Sequence, residues 1–126
     1  MKKLCIFAII LASIFTLRAC KSEQCVVTLN RENSYYGDYE IDHGNVNLWY
    51  YFELNNSTQY NQNVKITISL PEDKKGGLIS EENLAQNIVV EPGIAVYKVI
   101  FTSSFAGTKE KQNRLLPDQI RVEIIP

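Results

Sequence analysis

An all-β fold, an antiparallel sandwich of about seven strands, is what this sequence predicts. Three observations carry the expectation. Short runs alternate apolar and polar residues with a period of two. Asn, Ser, Gly and Pro, which favour turns, fall between those runs. No segment after the N-terminal stretch sustains a helical period.

The N-terminal stretch has its own logic. Lys2 and Lys3 precede an uncharged run from Leu4 to Leu17, fourteen residues long. That run is short for a helix crossing a hydrocarbon core of about 30 Å. A positive start, a short apolar body and a small residue before a cut site describe a secretory signal peptide. Residues 1–19 are therefore expected to be a signal peptide, with residues 20–126 forming one domain.

Leu17-Arg18-Ala19-Cys20 resembles a bacterial lipobox, with Leu17, Ala19 and Cys20 at matching positions and Arg18 where a small or apolar residue is usual. The resemblance implies that Cys20 is lipidated on sulfur and becomes the new N-terminus of an exported, membrane-anchored lipoprotein. Ordinary cleavage after Ala19, or slightly later, gives a secreted protein instead. Two or more acyl chains hold a protein firmly to membrane, whereas one binds marginally.

The strands follow in order. Cys25–Asn30 is a short first run. Tyr35–Ile41 sets Tyr35, Tyr39 and Ile41 against Tyr36, Asp38 and Glu40. Val46–Leu54 places Val46, Leu48, Tyr50, Phe52 and Leu54 on one face, with Asn47, Trp49, Tyr51 and Glu53 on the other. Asn63–Leu70 alternates Val64, Ile66, Ile68 and Leu70 with polar residues, and the polar loop before it suggests that these two strands form a hairpin. Asn87–Glu91 is stopped by Pro92-Gly93, a strong turn signal. Ala95–Thr102 is rich in β-branched and aromatic residues. Gln119–Ile125 alternates Ile120, Val122 and Ile124 with charges. Seven short strands in about a hundred residues match an antiparallel sandwich.

Two loops are long. Residues 71–86 suggest one helical turn with Ser80 as its N-cap and Glu81 and Glu82 following. Residues 103–118 are polar and charged apart from Phe105, Leu115 and Leu116.

Leu54-Asn55-Asn56-Ser57, then Val64 to Ile68, then Val90-Glu91-Pro92-Gly93 and Val99 to Phe101 resemble the order of signals in bacterial immunoglobulin-like modules. The resemblance spans most of the chain after the signal and implies an immunoglobulin-like antiparallel β-sandwich. A fold of this kind does not by itself define a task.

Charge and motif content narrow the function. Without Lys2, Lys3 and Arg18, 10 basic residues stand against 14 acidic ones, a net charge near −4. Nucleic-acid binding is disfavoured, because phosphate contacts need clustered Lys and Arg. No phosphate-binding loop, dinucleotide turn or zinc spacing occurs. Cys20 and Cys25 make no disulfide framework, so the core must hold the fold. No cofactor is expected.

Two clusters merit attention. Asp38, Glu40 and Asp42 share a strand face beside His43, the single histidine, and hard cations favour such oxygen groups. The spacing is not that of an EF-hand, since His43 occupies the loop-glycine position and Trp49 the position of the bidentate Glu. A solvated strand face running into a turn at His43-Gly44-Asn45 accounts for the same residues. The second cluster is the face with Asn47, Trp49, Tyr51 and Glu53. Large amphipathic rings beside Asn and Glu suit a glycan or a protein partner, unless the 103–118 loop covers them. The expected function is an exported, lipid-anchored binding or assembly module without catalytic activity. The alternative is a small secreted enzyme or metal-binding protein using Asp38, Glu40, Asp42 and His43.

Overall fold

The computed structural model describes residues 26–107 and 115–126. The expected signal peptide, Cys20 and the Cys25 start of the first strand lie outside the described residues.

Among the described residues six strands form two antiparallel three-stranded sheets, the sandwich that the alternation predicts. They are β1 (Val27–Asp42), β2 (Asn45–Asn56), β3 (Gln62–Ser69), β4 (Asn83–Val90), β5 (Gly93–Ser104) and β6 (Gln119–Ile124), with one short helix, α1 (Pro71–Lys75). The first sheet has the order β1-β2-β5 and the second β4-β3-β6. No helix among the described residues is long and apolar enough to cross a membrane.

The core lies between the sheets. Val46, Leu48, Tyr50, Phe52 and Leu54 of β2 face Val64, Ile66 and Ile68 of β3, and all are buried. Each such side chain is worth about 1.5–3 kcal/mol when removed from water. Inside, Tyr50 stacks on Phe52 with ring centroids 5.7 Å apart, and Phe101 of β5 meets both rings edge-on.

Six strands stand where seven are expected because the first two runs merge. β1 stays paired with β2 across two irregularities, between Asn30 and Tyr35 and between Tyr36 and Asp38. Ser34 fills the first: its Oγ donates to the Asn30 carbonyl (2.7 Å) and accepts from the Glu53 amide (2.9 Å). The second inserts Gly37 as an extra residue. One inserted residue reverses the alternation beyond it. Tyr36 therefore points inward with Tyr39 and Ile41, while Tyr35 lies on the outer face with Asp38 and Glu40. Tyr35 and Tyr36 thus exchange the faces expected of them, while Tyr39 and Ile41 remain together opposite Asp38 and Glu40.

β1 and β2 meet in a two-residue turn at His43 and Gly44, both with positive φ (51° and 83°). Such a turn matches the right-handed twist of the strands. β2 and β3 do not pair, contrary to the expected hairpin; they belong to different sheets. Asn56 dictates the crossing. It is buried, and its Nδ2 donates to the carbonyls of Tyr60 (2.8 Å) and Val90 (2.9 Å). Its Oδ1 accepts from the Thr58 amide and hydroxyl. One amide thus fixes the loop and ties it to the end of β4.

The helical turn falls at Pro71–Lys75 rather than at Ser80. Pro71 suits the first helical positions, Glu72 and Asp73 sit in the first turn, and Lys74 and Lys75 in the last, as the helix dipole favours. Ser80 instead donates its amide to the Ser104 carbonyl (3.0 Å), beside a bridge between Ile79 and Phe105. β4 starts at Asn83, four residues before the expected Asn87.

Candidate binding surface

The outer face of the first sheet gathers the aromatic residues that the alternation of β2 places opposite its core face. Trp49 and Tyr51 are half-buried, against fully buried Leu48, Tyr50 and Phe52. The β2–β5 register sets Trp49 opposite Ile100, Tyr51 opposite Lys98 and Glu53 opposite Val96. The β1–β2 register sets Tyr35 opposite Tyr51. One surface therefore carries Tyr35, Trp49, Tyr51, Val96, Lys98 and Ile100.

Each ring is held. Tyr35 stacks on Tyr51 with centroids 5.0 Å apart and 24° between planes. The Trp49 indole lies over the backbone at Gly37: a Cβ there would come 2.8 Å from both Nε1 and the Trp49 carbonyl oxygen. Gly37 is thus the one residue type that lets the indole lie flat. Lys98 Nζ stands 4.9 Å from the Trp49 ring centroid, a cation–π contact. The polar rim is also fixed. Glu53 accepts from Asn30 Nδ2 (3.0 Å) and Asn33 Nδ2 (3.2 Å), and Asn47 Oδ1 accepts from the Thr102 hydroxyl (2.7 Å). The four residues expected from sequence, Asn47, Trp49, Tyr51 and Glu53, are thus brought onto one face.

Sequence reasoning missed Tyr35, Val96, Lys98 and Ile100. The last three follow from the β2–β5 pairing, which no local pattern reveals. Tyr35 was hidden by the bulge, although a glycine inside a strand run is a recognisable sign of one. Of the described residues in the 103–118 loop, Leu115 is 70% exposed and Phe105 packs on the core.

The acidic cluster is dispersed along an exposed strand. Asp38, Glu40 and Asp42 follow one another on β1, all exposed. Asp38 accepts its neighbour's amide, from Tyr39, and Asp42 pairs with the exposed His43 ring. Among the described residues no group of three His, Cys, Asp or Glu side chains is placed to hold a metal ion.

At one end of the sandwich a cleft of about 240 Å³ is lined by Glu72, Asp73, Glu82 and Asp118 among others. Asp73 is buried. Burial, and secondarily the Asp73 charge, push the Tyr50 phenol well above the ordinary tyrosine range.

No protein-family model, curated protein or solved structure matches this chain.

Proposed function

We propose that this protein is an exported binding or assembly module, held to a membrane by lipid on Cys20, that acts without catalysis through the outer face of its first sheet. One observation carries the reading: Tyr35, Trp49 and Tyr51 lie together on the solvent side of a rigid sheet, each ring fixed by stacking, by the Gly37 gap or by Lys98. Pre-ordered aromatic rings lose little entropy on binding and dominate interface energy. The partner is a protein or a glycan, either of which stacks on such rings.

A photo-cross-linking residue at Tyr51 tests the surface in intact envelopes, with Thr67 on the other sheet as reference. The reading predicts a discrete adduct from position 51, or glycan-array binding lost in Trp49→Ala. Equal labelling from both positions, together with an array that Trp49→Ala leaves unchanged, would contradict it. Mass spectrometry of the native N-terminus tests the anchor: an N-terminus at Glu23 without acyl mass ends the lipid reading.

A further inference from the structure

The free edge of the first sheet at β5 has the properties of a strand-pairing site. Among the described residues β5 pairs with β2 alone. Two hydrogen bonds fix which backbone groups face outward. The Ile100 carbonyl accepts from Gln86 Nε2 of the other sheet (3.0 Å), so it points away from β2. The Glu53 amide donates to Ser34 Oγ on the β1 side, so its partner across the ladder, Val96, also directs its polar groups away from β2. By the two-residue period, Ile94, Val96 and Lys98 present outward N–H and C=O groups.

Among the described residues this edge lacks the usual protection. Natural edges are blunted by projecting charges, proline, bulges or a cover. Residues 93–96 are exposed, with Ile94 at 67% and Val96 at 50%. The one charge, Lys98, lies toward the Trp49 ring on the sheet rather than across the edge. Among the described residues the stops lie at the ends: Pro92 has no N–H to donate, the Ile100 carbonyl is already bonded to Gln86, and beyond it the Ser104 carbonyl accepts from the Ser80 amide.

We propose that β5 pairs antiparallel with β5 of a second copy of this chain, joining two first sheets into one six-stranded sheet. The edge is self-complementary about Val96. With Val96 on the two-fold axis, Ile94 faces Lys98 of the second copy, and each facing pair exchanges two hydrogen bonds. The next rung would set Ile100 against Pro92, where both stops coincide, so the ladder ends at the same point on each side. Like charges do not meet, because the two Lys98 residues fall at opposite ends. The pairing extends the apolar outer face across the axis and does not depend on whether Trp49 and Tyr51 bind another partner. A ladder this short places the contact among the weak, transient interfaces.

Disulfide trapping in the full chain tests the register. Directly facing residues in a hydrogen-bonded pair lie about 5.5 Å apart at Cα, within the range of about 4.4–6.8 Å that a disulfide spans. Val96→Cys should form a 96–96 link between copies, mapped by peptide mass, at least about tenfold faster than Ile94→Cys forms a 94–94 link. Ile94→Cys mixed with Lys98→Cys should cross-link to each other. Sedimentation of the unlinked protein should show concentration-dependent dimer, weakened at least about tenfold by Val96→Lys, which sets two charges on the axis, and unchanged by Val89→Lys on β4. A protein monomeric up to about 1 mM, equal 94–94 and 96–96 rates, or a dimer indifferent to Val96→Lys would overturn the proposal.

Discussion

Gly37→Ala is the smallest change that tests how the outer face is built. The bulge between Tyr36 and Asp38 places this glycine against Trp49. An added Cβ would sit 2.8 Å from Nε1, closer still to Cδ1, and 2.8 Å from the Trp49 carbonyl oxygen. The ring contacts can be relieved by rotating the indole, but that strips it from Lys98. The carbonyl contact cannot be relieved without moving β2. Overpacking of this kind costs about 1–3 kcal/mol, and each kcal/mol lowers the melting temperature of a domain this size by about 4–8 °C. Trp49 is the single tryptophan, so its emission reports the displacement directly and should shift to the red. In a Trp49→Ala background the ring clash is gone and the carbonyl clash stays, so Gly37→Ala should cost less there than in the wild type. Unchanged melting and unchanged emission in Gly37→Ala would refute the packing of Trp49 on this bulge.

Other changes should sort by where the structure puts each residue. Ile66→Ala, at a fully buried site on β3, should cost about 2–5 kcal/mol in denaturant unfolding, against well under about 1 for Thr67→Ala; equal losses would mean a shifted register. Asn56→Ala removes the layer-crossing bond to the Val90 carbonyl and the loop bond to Tyr60, so it should cost about 1–3 kcal/mol, while Asn55→Ala, at an exposed site, should lie within about 0.5 kcal/mol of wild type. Tyr50 keeps its proton in the fold past the pH at which the unfolded chain has lost it. Its contribution is therefore intact below the ordinary tyrosine value near 10 and is lost as pH rises above it. Among the described residues its hydroxyl has no hydrogen-bond partner, so Tyr50→Phe should stay within about 1 kcal/mol of wild type at neutral pH and unfold less readily in alkali, as pH-dependent melts would record.

The strands β2 and β3 were legible residue by residue, because a half-buried strand writes its two environments into alternate positions. Trp49 and Tyr51 could be assigned outward for the same reason. β1 was legible as strand but not as a face. A three-residue excess around Ser34 and one extra residue at Gly37 change which side chains point inward, and composition does not record the count. The apparent hairpin between β2 and β3 failed on a single buried amide. Asn56 reads as a turn former, yet its bond to the Val90 carbonyl carries the chain to the other sheet. The Val96, Lys98 and Ile100 side of the surface was beyond sequence reasoning, since it depends on a strand that enters nearly forty residues later.

Thermal unfolding of Trp49→Ala tests the central claim most directly, namely that the aromatic face of the first sheet is a surface and not core. A half-buried indole resting on Gly37 and Lys98 should cost below about 2 kcal/mol on truncation, leaving a cooperative melt and a native β-sheet spectrum. A loss of about 3–5 kcal/mol, the range for a buried aromatic, would contradict the account and make Trp49 part of the core.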